Sequence, residues 1–600
     1  MGVPRPEYPR PTLVRDQWLN LNGPWLFEMD AEDQGLRSAW FSTGLPNPSS
    51  IVVPYPVESE ASGIRQLVPV DVVWYQRELE IPDDWQDRVV LRIGACDHWT
   101  RAFVNGQEVG QHRGGYAPIA LDIAHALKPG SNRLVIRVQD SLSWTQPRGK
   151  QAGTTRWPID YDSVTGIWQT VWLEPLPTVS IESTSFDYCC VSGELTYRVY
   201  FSGQIDGEQT LEISRNGVPV TKASVETGLR SEARFKVLIE DGELWSPAAP
   251  HLYDVSLKLV NHRTNEIDEV TSYLGLREVR VDNGELCLNG ERLFLKGILD
   301  QGYFPEGWYT AMTDDDLRAD VELTLAMGLN CARKHQKAED PRYLYWADRL
   351  GLLVWAEMPS GKIFTTELIE TLTGEWIELI KRDRAHPSVI AWVPFNESWG
   401  VWHQAERPEQ RAFVEGVVGI TKALDSSRPV VGNDGWEFSA GDLWTLHLYF
   451  ENRDVATRLA ELIERPGSSV TDEYGGLKRV GALPGANIEG LPILLTECGG
   501  VGFGHYSEED FSYGEIPQTE RALESQIREI AAMIGTAPQL QGFVWTQLTD
   551  IQQEINGLLY FDRRPKLPLA TLREIFEQLG YENAESAKGG KKEAIGLSES

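Results

Sequence analysis

Two glutamates stand at the ends of short apolar runs: Glu397 closes "WVPFNE", and Glu497 closes "LLTE" a hundred residues further on. An apolar run that stops abruptly at a carboxylate reads as a buried strand delivering that group to the mouth of its sheet. Two carboxyl groups facing one another there are the minimum equipment for cleaving a glycosidic bond, one as proton donor and the other as nucleophile. In the configuration-retaining version they lie roughly 5 Å apart. The donor has to hold a proton while the nucleophile stays ionised, so their surroundings must differ. Glu397 lies between Asn396 and an aromatic flank, Trp399 and Trp402, where removal from water suits a general acid that later serves as base. Asn396 can hold a sugar 2-hydroxyl, and Arg333 or Tyr449 can donate to Glu497. The plainer alternative is that strand-end glutamates only pair with arginine or lysine.

The elements needed to bring these groups together lie in the second half of the chain. Apolar runs there alternate with helical stretches, which calls for a parallel sheet. Thr313 caps a helix opening with Asp314-Asp315-Asp316 and ending at Gly328; Pro341 opens the next, and Gly351 closes it. Eight runs are candidate strands. "LFLKGIL" ends at Asp300, "GLNCARKH" at Arg333 and His335, "GLLVWAEM" at Glu357, and "VIAWVPFNE" at Asn396 and Glu397. "PVVGND" ends at Asn433 and Asp434, "DLWTLHLYF" at His447 and Tyr449, "PILLTE" at Glu497, and "GFVWTQ" at Trp545 and Thr546. Eight of eight terminate in polar or aromatic groups, as expected where strand ends share one rim of a (β/α)8 TIM barrel. His335 and His447 are candidate hydroxyl ligands, and Trp545 could stack on a sugar ring. A lone histidine is more often a hydrogen-bonded structural residue, and with 21 tryptophans most must serve packing.

Ahead of this lie two β-rich stretches. From Trp18 to about Pro175, alternating runs such as "VVWYQRELEI" and "DRVVLRIGAC" are broken by turn dipeptides including Asn105-Gly106, the pattern of a β-sandwich or jelly roll. About seven short strands follow between residues 178 and 276, matching an immunoglobulin-like β-sandwich. The expected organisation is therefore multidomain: 1–177 jelly roll, 178–276 immunoglobulin-like sandwich, 277–582 barrel, and a disordered tail, 583–600, without aromatics.

With 600 residues, 41% hydrophobic and 24% charged, the chain is globular and too long for one core. A net charge of −32 argues against a nucleic-acid or anionic-membrane partner, because phosphate contacts need clustered cations. No run approaches the roughly 20 apolar residues of a membrane span, and the N-terminus lacks a signal-peptide core. Six cysteines in so long a chain are no disulfide framework. These features point to a reducing cytoplasm. Monomer and homo-oligomer are both compatible with this surface. HExxH, paired CxxC, GxSxG and Walker patterns are absent. No organic cofactor is expected; Glu357 with neighbouring acids gives only a weak signal for a Mg²⁺ or Na⁺ ion.

The chain resembles glycoside hydrolase family 2, the β-galactosidase and β-glucuronidase family, over nearly its whole length. "DSVTGIWQTVWLE" (162–174) is similar to the segment closing that family's N-terminal sugar-binding domain, and "RAHPSVIAWVPFNE" to its acid/base signature. The resemblance implies acid/base Glu397, nucleophile Glu497, pocket residues Arg333, His335, His447, Tyr449 and Trp545, and an N-terminal-domain aspartate, Asp160, reaching the pocket. The sequence departs from the family at Ala385, where Asn is usual, and at Val393-Pro394-Phe395, where Ser-x-Gly is usual. One residue instead of two separates Arg333 from His335, and Cys498 replaces an aromatic residue. Glucuronidases of the family carry Asn-x-Lys ahead of a segment like "GLLYFDRRPK"; here Gln553-Glu554-Ile555-Asn556 precede Gly557, with an acid that repels a uronate. The expectation is a retaining exo-acting β-glycosidase on a neutral carbohydrate, β-galactoside first. Glucoside, fucoside, arabinoside and galactofuranoside remain open, and glucuronide is disfavoured. The reading from a different class is a carbohydrate-binding protein without turnover.

Overall fold

The computed structural model describes residues 2–580 apart from 68, 86–87, 154–155, 450–454, 475–476, 505–506, 508 and 514. The tail expected at 583–600 lies outside the described residues. Among the described residues no helix is long and apolar enough to cross a membrane.

Alternation of apolar and polar residues builds the first sandwich. Its six-stranded sheet runs in the order Ser49–Val53, Gly23–Met29, Val72–Glu80, Ser131–Gln139, Trp99–Val104, Gln107–Arg113. The facing four-stranded sheet comprises Leu19–Asn20, Val171–Pro175, Val89–Ile93 and Ile119–Asp122. Asn105 and Gly106 take φ of 52° and 85°, the left-handed pair that a tight hairpin between Trp99–Val104 and Gln107–Arg113 requires. The second sandwich packs a three-stranded sheet (Ile181–Tyr188, Glu194–Ile205, Arg230–Leu238) on a four-stranded one (Val218–Glu226, Gly207–Arg215, Tyr253–Asn261, Ile267–Leu274).

The last domain is the TIM barrel. Seven parallel strands form one sheet: β1 (Leu295–Asp300), β2 (Cys331–Lys334), β3 (Leu353–Glu357), β4 (Val389–Val393), β5 (Trp444–His447), β6 (Ile493–Gly499) and β7 (Leu540–Thr546), in the order β4-β3-β2-β1-β7-β6-β5. β4 and β7 are buried along their whole length, as parallel strands covered on both faces must be. The helices between them follow their local signals. Thr313 makes a reciprocal capping box with Asp316, and Gly351 ends Pro341–Leu350 in the left-handed conformation.

The eighth expected strand, "PVVGND", differs. Among the described residues it meets β4 and the residues just after it through isolated bridges at Trp392/Val430 and Asn396/Asp434, and its other side meets β5 through one backbone bond, His447 N–H to the Gly435 carbonyl at 3.1 Å, and one from Gly435 N–H to Thr445 Oγ1 at 3.3 Å. Pro429 has no N–H to give, and the side chains of Asn433 and Asp434 bond to Ser398 N and Thr496 Oγ1, so side-chain contacts replace part of the ladder.

The first sandwich is fastened to the barrel mouth by its segment 140–165. The amides of Arg148 and Gly149 both donate to the Ser360 carbonyl at 3.0 Å, and Tyr161 Oη donates to Glu554. On the flank, Glu375 of helix Thr366–Asp383 accepts from the amides of Tyr116 (2.7 Å) and Ala117 (2.9 Å). Burial pushes the Glu375 carboxyl up to about 7, against those two bonds. The folded protein therefore keeps a proton that the unfolded chain gives up above the ordinary carboxylate range. The stabilisation it contributes is complete at low pH and is lost as pH rises through about 7, a swing of about 3 kcal/mol. Glu375→Gln keeps a carbonyl acceptor and removes the titration. Its thermal midpoint is expected to match the wild type near pH 5 and exceed it at pH 8; parallel profiles would contradict this account of the docking.

Candidate active site

The side chains at the barrel mouth are assembled around Arg333. β2 lies between β1 and β3, and strand alternation turns Arg333 inward and its neighbour Lys334 outward. The guanidinium, fully buried, donates Nε to Glu357 (2.8 Å), Nη2 to Asn396 Oδ1 (2.6 Å) and Nη1 to Glu497 Oε1 (3.0 Å), and Nη1 lies 2.9 Å from Asp434 Oδ2. Five donors in a rigid plane can serve several acceptors at once, which a lysine cannot. Burial pushes Glu357 up to about 7 against the pull of Arg333. Asp434, buried but held by the charges of Arg333 and His447, lies well below the usual carboxylate range.

Glu397 follows β4 in the left-handed conformation, φ 51°, and so does Ser398, φ 58°. Two successive non-glycine residues there cost on the order of 1 kcal/mol or more each, and persist only where the surroundings fix them. The fixing bonds are Glu397 N–H to the Asp434 carbonyl (2.9 Å), Ser398 N–H to Asn433 Oδ1 (2.9 Å), and Gln404, Asn433 and Glu437 on Ser398 Oγ. Arg479 pairs with Glu437 beneath them at 3.1 Å.

His447, at the end of β5 in register with Glu497, bonds Glu397 Oε1 through Nδ1 at 2.8 Å and lies 3.6 Å from Glu497 Oε1. Burial would lower this imidazole, but the charges of Glu497 and Asp434 and its bonds to Asp434 and Glu397 push it up to about 10. Gly435 makes room for it: at φ 99°, a Cβ there would stand 2.6 Å from His447 Nδ1. Tyr449 Oη donates to Glu497 Oε2 at 2.5 Å and meets Thr546 Oγ1 at 3.1 Å, while its ring stacks on Tyr513 with centroids 3.6 Å apart. Glu397, His447 and Glu497 each present a ligating atom within 4.8 Å of the others, so the two carboxylates are separated by no more than that. They are 6% and 4% exposed at the barrel mouth, the cup around which these side chains converge.

Not every expected residue joins this group. Asp300 pairs in register with Lys334, shares its outward face, and bonds its ammonium at 2.6 Å, so its carboxylate points away from Arg333 and the cup. Trp545 has no exposed surface; its indole packs against Gly499 and Phe576, which leaves no open ring face for a sugar. His335 stands 3.0 Å from Glu357 through Nδ1, and burial together with the Arg333 charge keeps it well below the usual histidine range. Asn396 must turn its oxygen to Arg333, which only donates, so its buried amide nitrogen is left without an acceptor. Asp160 arrives from the first sandwich, with Oδ2 accepting from Trp157 N at 3.1 Å and Oδ1 facing Lys362 Nζ at 3.5 Å.

Lys362 went unnoticed in the sequence because a lone lysine in a loop carries no pattern. Its ammonium lies 3.0 Å from the centre of the Trp399 ring and 4.4 Å from that of Trp157, and burial pulls it down to about 7 against Asp160. Lys150, 3.9 Å from Glu554 and 5.9 Å from the Trp399 ring centre, was missed for the same reason. Of the two tryptophans expected to flank Glu397, Trp399 thus covers an ammonium together with Trp157, while Trp402 donates its indole N–H to the Lys362 carbonyl. A cation at Glu357 does not fit: Arg333 and Gln336 N occupy its two oxygens, with His335 alongside. Glu397, His447 and Glu497 form the one set of three potential ligand groups among the described residues, and the charges of Glu497 and Asp434 act on its imidazole.

The chain matches the family profiles described as "Glycosyl hydrolases family 2, sugar binding domain" over residues 19–177, "Glycosyl hydrolases family 2" over 190–277 and "Glycosyl hydrolases family 2, TIM barrel domain" over 279–465. It is similar to a β-glucuronidase of Paenibacillus borealis, 26% identical over 467 residues (70% of this chain, 74% of that one). It is also similar to a β-galactosidase of Thermoanaerobacter pseudethanolicus, 30% identical over 379 residues (60% and 48%). Among solved structures, a β-glucuronidase of Ruminococcus gnavus in complex with uronic deoxynojirimycin shares the fold, with a TM-score of 0.77 at 21% identity over 95% of this chain and 100% of that one.

Arg333→Met would remove the cation that Glu357, Asp434 and Glu497 share, a change expected to cost about 3–5 kcal/mol. Its thermal midpoint should fall by several degrees; an unchanged midpoint would remove the guanidinium from this role.

Proposed function

Because the chain belongs to glycosyl hydrolase family 2 and is a glycoside hydrolase, we propose that it is a retaining exo-acting β-glycosidase with Glu497 as nucleophile and Glu397 as acid/base. The observation that carries this reading is the separation of the two carboxylates, no more than 4.8 Å at the barrel mouth. That distance suits direct attack on the anomeric carbon and leaves no room for the water that an inverting pair must hold. Arg333 and Tyr449 donate to the two oxygens of Glu497, which aims its carboxylate. Glu497 attacks the anomeric carbon while Glu397 gives its proton to the departing oxygen; Glu397 then takes a proton from water, which releases the sugar from Glu497. His447 on Oε1 orients the Glu397 carboxyl. The free Asn396 amide donates to the sugar 2-hydroxyl. Near-complete burial of both glutamates favours a terminal sugar over an internal one.

For the glycone we propose a neutral sugar, β-galactoside first. Among the described residues each ammonium at the cup already faces a carboxylate, Lys362 with Asp160 and Lys150 with Glu554, which leaves neither to a uronate. The second reading, β-glucuronide, draws on the relatives and on the Lys362 ammonium, which has no hydrogen-bond acceptor.

On a panel of nitrophenyl glycosides, kcat/KM is expected to be at least about tenfold higher for the β-galactoside than for the β-glucuronide, a difference of about 1.4 kcal/mol in transition-state binding. The reverse order would assign the cup to uronates. Glu497→Gln should lose about 10⁴-fold or more on every leaving group. Glu397→Gln should lose about 10²-fold less on dinitrophenyl than on alkyl glycosides, since good leaving groups need little protonation. Wild type as inert as both variants would favour a carbohydrate-binding protein without turnover.

A further inference from the structure

Away from the cup, the three domains meet around a cavity of about 480 Å³ on the outer wall of the barrel, and none of its lining residues belongs to the group around Glu397 and Glu497. Five of those residues are cations: Arg10, Arg92, Lys381, Arg382 and Arg384. Only three are acids: Glu182, Asp340 and Glu378. Three of the cations are matched. Arg92 bonds Glu174 at 2.7 Å, Lys381 bonds Glu378 at 2.7 Å, and Arg382 grips Asp383 through two bonds of 2.6 and 2.7 Å. Asp340 is taken by Arg5 at 3.1 Å.

Arg10 and Arg384 are different. Among the described residues neither has a carboxylate within ion-pair distance. Arg10 donates to the Glu182 carbonyl at 2.8 Å; Arg384 donates to the Leu424 carbonyl and Ser183 Oγ and lies 4.0 Å from the centre of the Tyr200 ring. Burying a guanidinium without an ion-paired partner is costly, and here two stand on one wall, with Glu174 and Glu182 near Arg10 and Asp425 near Arg384 acting only from beyond contact. Buried N–H donors are also left without acceptors on Arg10, Arg92, Arg382, Arg384 and Gln169, the side chains of Arg92, Arg384 and Gln169 being more than nine-tenths buried. The rest of the wall is apolar: Ile119, Trp172, Phe201 and Leu424. Unmatched guanidiniums beside an apolar surface suit one chemistry, a negatively charged head on an apolar or ring-shaped body. The volume is that of a small-molecule site.

We infer that this three-domain junction is a binding site for a small organic anion, with Arg10 and Arg384 supplying the charge that receives its acidic group. It is separate from the glycosidase site and does not depend on the reading of that site.

The test is calorimetric titration of the full chain with naphthalenesulfonate at constant ionic strength, beside uncharged naphthylmethanol and sodium sulfate. Saturable binding of naphthalenesulfonate is expected, tighter than either control. Arg10→Gln and Arg384→Gln should each raise Kd about tenfold, the loss of one charge-assisted bond. Neither substitution strands a carboxylate, so both variants should fold, and a thermal scan without probe checks this. Glu497→Gln should leave the affinity unchanged. Absence of saturable binding, affinity indifferent to both arginines, or affinity lost with Glu497→Gln would overturn the site.

Discussion

Everything at the barrel mouth depends on how one buried guanidinium is shared. Arg333 touches Glu357, Asp434, Glu497 and Asn396, side chains delivered by four separate segments of the barrel wall. Buried carboxylates repel one another strongly at these distances, and a buried ion pair stabilises only when geometry and hydrogen bonds are both satisfied. Here the acids converge on one cation, and His447 supplies the second positive charge between Glu397 and Glu497. The two charges offset the repulsion between glutamates that approach within 4.8 Å. The same bonds that hold the wall together aim the proposed nucleophile, so stability and chemistry draw on the same atoms.

The proposed acid is positioned by a different device. Glu397 and Ser398 are bent into the left-handed region and tied there by Asn433 and Asp434, from the segment that fails to become a regular eighth strand, and by Glu437 just after it. That irregularity follows from the site's own needs: side chains that would otherwise flank a ladder are spent on the turn after β4. The second wall of the cup comes from another domain, where Asp160 and Lys150 of the first sandwich meet Lys362 and Glu554 of the barrel. A barrel without the sandwich would lack Asp160 and Lys150, the partners of Lys362 and Glu554.

How much of this could be read beforehand depends on the kind of signal. The two glutamates, their strands, Arg333, His447 and Tyr449 were legible because strand ends in a parallel barrel share a rim, and polar residues ending apolar runs mark it. Asp300 met the same criterion and misled, since its register with Lys334 turns it to the opposite face, and a polar strand end does not say which face it takes. Trp545 misled because an aromatic residue at a strand end can serve packing as readily as stacking. Lys362 and Lys150 were invisible: each is an isolated lysine in a loop, and only the fold sets it among tryptophans. The sandwiches were legible through alternation and turn dipeptides, whereas the docking role of Glu375 depends on contacts with Tyr116 and Ala117 more than 250 residues away in sequence.

The central claim is that the carboxyls of Glu397 and Glu497 stand close enough for a covalent sugar intermediate. The most direct measurement is proton NMR of the first-formed anomer during hydrolysis of the best aryl β-glycoside, recorded before mutarotation. The account predicts that the β-anomer appears first and the α-anomer only later, by equilibration. Initial release of the α-anomer would mean that a water attacks directly, and would contradict it.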